Sequence, residues 1–342
     1  MTTSDELRAV IESVLAEQGL RGLAREVERL IETYRGTIPT DKPVLRDRSD
    51  VLAYAAYRMP ATFGAVRSVL SQVSESMGDW SPTSHIDIGG GTGGAVWAAA
   101  AIWPAPRETL VLDWAQPAVD LGRELARGAG SGILREARWQ RQVIGTGLVL
   151  ADADLMTISY VLGELAEPDR TAVLTSAVQH GQVVAVIEPG TPAGYRRILE
   201  ARRHLLAAGM NILAPCPHEG GCPMEAAADD WCHFAARINR GSAHRSLKGG
   251  SLSHEDEKFA YVVASRTRFP RAAGRVLRHP LINKGMVGLT LCTAEDGLGR
   301  SVVSKSKGPV YRDARKAGWG DAWPPPGADR DAPAALRNEP TS

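Results

Sequence analysis

Apolar positions near the start of the chain recur at helical spacing. Leu7, Val10, Ile11, Val14 and Leu15 share one face of a first helix, and Leu23, Val27, Leu30, Ile31 and Tyr34 repeat the pattern in a second. Thr3 with Glu6 reads as a capping box ahead of the first stripe. After "GTIPTDKP" a third helical stretch begins near Asp50, is interrupted at Pro60 and resumes through Phe63, Val66, Leu70 and Val73. Residues 1–80 are therefore expected to form an all-helical N-terminal module.

From His85 the period changes. Short apolar runs, "HIDI" (85–88), "TLVLD" (109–113), "DLMTISYVL" (154–162) and "QVVAVIE" (182–188), alternate with helical stretches, among them "GGAVWAAAAI", 117–127 and "PDRTAVLTSAVQH". This order predicts a parallel, doubly wound sheet over residues 81–209. Past Cys232 the texture is β-like again at "KFAYVVAS", "GMVGLTLCT" and "RSVVSKS", followed by a basic helix "PVYRDARKAG", so 210–323 reads as a third region. Residues 324–342, rich in Pro, Ala and charge, read as a disordered tail. No internal repeat is visible.

"DIGGGTGG" leaves a predicted strand and opens a helix, the context in which glycines bring backbone close to a nucleotide-like ligand. Gly89, Gly91 and Gly94 fit the G-x-G-x-x-G spacing of dinucleotide folds, whereas Asp87 with Gly89, Gly91 and Gly93 fits the D-x-G-x-G-x-G loop of S-adenosylmethionine-dependent methyltransferases. Asp87 favours the second, because a carboxylate there can meet the donor's ammonium group and would repel a pyrophosphate. Asp113, ending the next strand, suits ribose hydroxyls under either reading. Acceptor-side residues are expected where the fourth strand ends, which nominates Ser159, Tyr160 and Glu164. The N-P-P-Y type of signature for amino-group methylation is absent.

The composition, 44% hydrophobic and 23% charged, is that of an ordinary globular chain. The longest nearly apolar run, "GGAVWAAAAIW", is too short to cross a bilayer, and the early Asp5, Glu6, Glu12 and Glu17 are unlike an Arg-rich transit peptide, so a cytoplasmic location is expected. Thiols stay reduced there, which makes four cysteines metal ligands, nucleophiles or buried apolar residues before disulfides. Cys216, Cys222 and Cys232 are spaced C-x5-C-x9-C within a loop rich in Gly, Pro and His, and Cys292 follows sixty residues later. Four thiolates suit either a 4Fe-4S cluster or a closed zinc site, with His218 or His233 able to replace a sulfur in the latter. Spacing leaves the two open.

The net charge of +1 conceals an asymmetry. Residues 237–316 carry seventeen Lys/Arg against six Asp/Glu, and the remainder is correspondingly acidic. Such a segment suits a polyanion, although a plain solvated face has the same composition.

With these residues assembled, the chain resembles the methyltransferase-like proteins that assist assembly of the small ribosomal subunit, a family with a mitochondrial branch and bacterial members. The resemblance runs from about Arg48 to Trp323 and rests on "RMPATFGAV", "DIGGGTGGA", "SYVLGEL", "EPGTPAGYRRILEAR", "PCPHEGGCP", "WCHF", "KFAYVV", "NKGMVGLTLC" and "WGDAW" in that order. It implies an α/β fold: a class I, Rossmann-like methyltransferase core with an all-helical N-terminal module and a cysteine-ligated, basic, β-containing C-terminal region. It implies S-adenosylmethionine at Asp87, Gly89, Gly91, Gly93 and Asp113, and a 4Fe-4S cluster on Cys216, Cys222, Cys232 and Cys292, as in the mitochondrial branch. It also implies small-subunit ribosomal RNA as partner, with Arg237, Arg240, Arg245, Lys284, Lys305 and Lys307 as the expected phosphate contacts. A noncatalytic assembly factor with a vestigial donor pocket and an NAD(P)-dependent redox enzyme are the alternatives.

Overall fold

The apolar stripes of the first eighty residues form four helices in the computed structural model, which describes residues 2–18, 23–35, 44–227, 229–239 and 254–325. They are α1 (Thr3–Gln18), α2 (Leu23–Arg35), α3 (Arg48–Tyr57) and α4 (Met59–Met77). The cap of α1 sits one residue earlier than the sequence suggested. Thr2 Oγ1 accepts from the Asp5 amide while Asp5 receives the Thr2 amide, both at 3.2 Å, so Thr2/Asp5 replaces Thr3/Glu6 as the reciprocal pair. The interruption expected at Pro60 falls at Arg58, between α3 and α4. Pro60 itself lies in the first turn of α4, where its missing N–H would have had no partner anyway. Asp47 caps α3, and the buried Asp50 in its first turn takes Arg29 of α2 at 2.6 Å and Arg46 at 3.0 Å, pinning α2 to α3.

Strands β1 (Ser84–Ile88), β2 (Glu108–Asp113), β3 (Arg138–Arg141), β4 (Ala153–Ser159), β5 (Gly181–Pro189), β6 (Asn211–Ala214), β7 (Phe234–Asn239) and β8 (His254–Ser265) make one eight-stranded sheet in the order β3-β2-β1-β4-β5-β8-β6, with β7 also on β8. β1 to β5 pair in parallel; β8 runs antiparallel to β5, β6 and β7. The crossovers are α5 (Gly94–Ile102), α6 (Gln116–Arg127), α7 (Gly132–Glu136), α8 (Glu167–His180) and α9 (Pro192–Ala207). This is the class I methyltransferase arrangement, mixed rather than wholly parallel, with its reversal of strand order between β1 and β4. β1 and β5 are buried almost throughout because helices cover both faces.

Strands β6 to β8 lie beyond residue 210, so the core sheet crosses the boundary expected there. A second, five-stranded sheet combines β9 (Gly274–Val276), β10 (Leu281–Asn283), β11 (Met286–Thr293), β12 (Gly297–Ser304) and β13 (Ala322–Trp323), with α10 (Pro309–Ala314). Val276, Val287, Leu289, Leu291 and Val303 form its own small core, whereas Cys292 is buried with the main one. Arg275 Nε donates to the Pro215 carbonyl at 3.0 Å, joining this sheet to the segment after β6. The tail expected at 324–342 lies outside the described residues from 326 onward.

Candidate functional site

The loop between β1 and α5 is shaped by three glycines in the left-handed region: Gly89 (φ 68°), Gly91 (φ 55°) and Gly93 (φ 90°). Two of them are also packed tightly. A Cβ on Gly89 would lie 2.5 Å from Val161 Cγ2, and one on Gly93 would lie 2.4 Å from Trp139 Cη2. A Cβ on Gly91 would meet nothing within 4 Å, and Gly91 lines a cavity of about 450 Å³ at the carboxyl ends of β1, β2 and β4. That volume is within the usual range for small-molecule sites. Asp113 Oδ2 accepts from the Gly91 amide at 2.8 Å and Oδ1 from the Ala115 amide at 2.9 Å, so this carboxylate holds the loop in shape at the cavity wall. Its remaining lone pairs can still accept from a ligand. Burial raises its pKa above the ordinary carboxylate value.

Asp87 occupies a different place from the one expected. It is fully buried beneath the loop and does not line the cavity. Its Oδ1 accepts from Thr157 Oγ1 at 2.6 Å, and Thr157 Oγ1 lies 2.9 Å from His85 Nε2, a chain of three buried groups in the sheet. Oδ2 has no partner among the described residues. Burial, opposed by the Thr157 bond and reinforced by the Asp113 charge, pushes the Asp87 carboxyl up to about 7, and burial pushes His85 down to about 3.

The opposite wall comes from the β4 exit and the N-terminal helices. Ser159, Tyr160 and Glu164 all line the cavity. The Ser159 hydroxyl is buried there without a hydrogen-bond partner among the described residues. Tyr160 is the single non-glycine residue among those described with positive φ, 61°. It is held there by residues the sequence did not nominate. Its hydroxyl donates to Glu257 Oε1 of β8 at 3.1 Å, and Arg58, between α3 and α4, makes two bonds to the same carboxylate at 3.0 and 3.1 Å. The Arg58 guanidinium also lies 5.4 Å from the Tyr160 ring centroid. Burial raises the Tyr160 pKa, and the neighbouring Glu257 charge adds to it. Below the turn, Glu188 accepts from the Leu162 amide at 3.1 Å and from Arg197 Nε at 2.5 Å.

Helix α9 faces the cysteine loop through Tyr195 and Arg202. Cys292 is buried in the main core, Cys216, Cys222 and Cys232 pack against that core half-buried, and none is in a disulfide. Burial raises the Cys232 thiol well above its usual value, with contributions from Cys216, Cys222 and Cys292; Cys292 is pushed up to about 12, and Arg202 and Arg275 act in the opposite direction. Tyr195 Oη is 3.2 Å from Cys222 Sγ, and His218 Nε2 is 3.6 Å from Cys292 Sγ. Among the described residues, no three His, Cys, Asp or Glu side chains are gathered closely enough to hold one metal ion.

The profile of the mitochondrial small ribosomal subunit Rsm22 family matches residues 48–324. The chain belongs to the Rsm22 family. Among curated relatives it is 26% identical over 296 residues to the human mitochondrial ribosome assembly protein METTL17, covering 80% of this chain and 62% of METTL17. It is also 26% identical over 332 residues to the mitochondrial Rsm22-cox11 tandem protein 2 of Schizosaccharomyces pombe, covering 80% of this chain and 43% of that protein. The chain thus spans about half the length of the curated relatives it matches. Both relatives are mitochondrial by name, unlike the cytoplasmic expectation, and no described helix is long and apolar enough to cross a membrane. Similar solved structures include a SAM-dependent methyltransferase from Aquifex aeolicus (14% identity, TM-score 0.40, 65% of this chain and 99% of that one). Another is magnesium protoporphyrin IX methyltransferase from Synechocystis with bound SAM (12% identity, TM-score 0.40, 70% and 90%).

In this Rsm22-family chain the expected phosphate contacts separate into three groups. Arg240 and Arg245 lie outside the described residues. Arg237 on β7 is held by both oxygens of Asp256, at 2.9 and 3.1 Å, which offsets its charge. Lys284, Lys305 and Lys307 are exposed at one end of the second sheet, where the Lys305 amide donates to the Gly285 carbonyl at 2.8 Å. The motifs "WCHF" and "WGDAW" also meet. Trp319 Nε1 donates to the His233 carbonyl at 2.9 Å, and Trp231 stacks on His233 with centroids 5.2 Å apart.

Proposed function

We propose that this Rsm22-family chain is a S-adenosylmethionine-binding, methyltransferase-like protein that works on or with small-subunit ribosomal RNA during ribosome assembly. The observation that carries the donor assignment is the cavity at the sheet's reversal point, floored by Gly91, bordered by Asp113 and walled by Ser159 and Tyr160. Gly91 leaves room for close approach, Asp113 offers acceptors to hydroxyl groups, and the unpartnered Ser159 hydroxyl offers a polar contact. When bound, S-adenosylmethionine supplies an electrophilic methyl group. The chain's part is to hold donor and acceptor in line, for which Tyr160, locked by Arg58 and Glu257, is a positioning group.

In the C-terminal region, Cys216, Cys222, Cys232 and Cys292 are the proposed ligands of a 4Fe-4S cluster. What supports a shared site is that Cys216, Cys222 and Cys292 each act on the Cys232 thiol; the choice of a 4Fe-4S cluster over zinc rests on the resemblance to the mitochondrial branch. Arg202 and Arg275 supply positive charge beside the thiols. The cluster would act as a staple between the two sheets. Lys284, Lys305 and Lys307 are the proposed RNA contacts here.

The second reading is a noncatalytic assembly factor, favoured by the name of the human relative, a ribosome assembly protein, and by the engagement of the Tyr160 hydroxyl with Glu257. One set of experiments separates the readings. Equilibrium binding of labelled S-adenosylmethionine against NAD(H) tests the pocket, and transfer of the label to small-subunit RNA tests catalysis. Metal analysis after anaerobic purification should give roughly four irons per chain; one zinc and no iron would refute the cluster. Donor binding without transfer to any assembly intermediate would select the second reading.

A further inference from the structure

The edge of the main sheet farthest from the cysteines carries a second basic feature, on the acidic part of the chain where the charge distribution did not suggest one. A cavity of about 540 Å³ is lined by Arg123 and Arg127 of α6, Arg135 of α7 and Arg138 of β3, together with Trp139 and Gln140. No acidic side chain lines it. Two of the arginines are oriented by neutral partners. Arg123 Nη2 donates to the Trp139 carbonyl at 3.1 Å, and Arg135 Nη1 to the Ala129 and Gly130 carbonyls at 2.8 and 2.6 Å. Carbonyls fix a guanidinium without cancelling its charge. Arg127 has no hydrogen bond or ion pair among the described residues.

Carboxylates are present but loosely engaged. Asp120 is 3.4 Å from Arg123, and Glu108 is 3.7 Å from Arg138 with both side chains largely exposed. Contacts of this kind contribute little and leave the cations free to exchange partners. The floor is rigid, because the Trp139 ring is wedged against Gly122 and Gly93; Cβ atoms there would lie 2.1 and 2.4 Å from it.

We propose that this basin binds backbone phosphates of an RNA strand, as a contact separate from the lysines of the second sheet. Guanidinium groups match phosphate geometry through paired N–H donors. The exposure of Arg127, Arg135 and Arg138 along an edge, drawn from three elements, suits a strand running past better than one enclosed ion. The proposal rests on the RNA-binding reading above.

The test uses the full chain and small-subunit ribosomal RNA, with affinity measured against salt for wild type, Arg127→Gln/Arg138→Gln and Lys305→Gln/Lys307→Gln. The first variant spares the arginines that bond backbone carbonyls, and unchanged circular dichroism confirms its fold. Losing two phosphate contacts should lower the slope of log affinity against log salt by about 1.4. A wild-type slope retained by Arg127→Gln/Arg138→Gln overturns the basin while the RNA reading stands. Wild type that does not bind the RNA overturns both. Inorganic phosphate binding that the variant loses, with the RNA slope unchanged, would reassign the basin to a small phosphate and overturn the RNA assignment.

Discussion

Replacing Gly91 and Gly93 separately by alanine should separate the ligand-facing part of the glycine loop from its packed part. At Gly93 an alanine must adopt φ near 90°, outside the left-handed pocket that L-residues tolerate, at a cost of about 1–2 kcal/mol. Its Cβ would also sit 2.4 Å from Trp139 Cη2, at an edge of the ring that is already packed against Gly122. Overpacking of this kind costs about 1–3 kcal/mol more. The sum, about 2–5 kcal/mol, corresponds to a fall in Tm of roughly 3–7 °C for a chain of this size. Gly91→Ala differs on both counts. Its φ of 55° is within the tolerated pocket and its Cβ enters open space, so the fold should lose only about 1 kcal/mol, or roughly 1–2 °C. The methyl group would nevertheless occupy space on the cavity floor. S-adenosylmethionine affinity, measured by isothermal titration calorimetry on the folded variant, should fall at least tenfold, about 1.4 kcal/mol. Unchanged affinity in Gly91→Ala would refute the donor site, and equal melting of the two variants would refute the Trp139 wedge.

Arg58→Ala should cost about 2–3 kcal/mol in urea unfolding, because it leaves Glu257, 13% exposed, without its bidentate partner. Arg58→Ala/Glu257→Ala should cost less than the sum of the single changes; strict additivity would show that the pair is not coupled. Asp87→Asn should alter the pH dependence of stability in a defined direction. The wild-type carboxyl titrates near 7 in the fold against 3.8 as its ordinary value, so the folded state holds an extra proton between these values and stability falls as pH rises through that window. Asparagine keeps an acceptor for Thr157 and cannot ionise, so Tm should decline less from about pH 5 to about pH 8 in the variant than in wild type; an identical decline would contradict a neutral buried Asp87.

Strands β1, β2, β4, β5, β8 and β11 were legible because each is an apolar run of ordinary strand length. β3 was not: "RWQR" buries Trp139 alone, and an edge strand needs no apolar alternation to pair on one side. β6 was hidden by its brevity, four residues after a left-handed Gly209. The glycine loop was legible from its spacing, but the place of Asp87 was not. All but the first residue of β1 are buried, so alternation cannot say which side chains face a ligand, and pairing of Asp87 with both Val111 and Thr157 puts it mid-sheet. Arg58 and Glu257 are 199 residues apart, and nothing local in either segment signals the other.

The donor cavity and the cysteine site are joined through two elements, which bears on either functional reading. Strand β8 presents Glu257 to Arg58 and Tyr160 at the cavity; four residues on, burial raises the Tyr261 pKa, with smaller contributions from Cys232 and Cys216. Helix α9 does the same from the other side. Arg197 holds Glu188, which fixes the turn after β4, while Tyr195 touches Cys222 and Arg202 bonds the carbonyls of His218 and Gly220 in the cysteine loop. A displacement of the cysteine loop would therefore reach the turn that carries Tyr160 through α9 and its hydrogen bonds. In an enzyme this makes the staple a condition for a correctly shaped pocket. In an assembly factor it makes the occupied pocket a brace for the second sheet. Both roles follow from the same contacts, so the shape of the cavity and the seating of the four thiols form one mechanical unit.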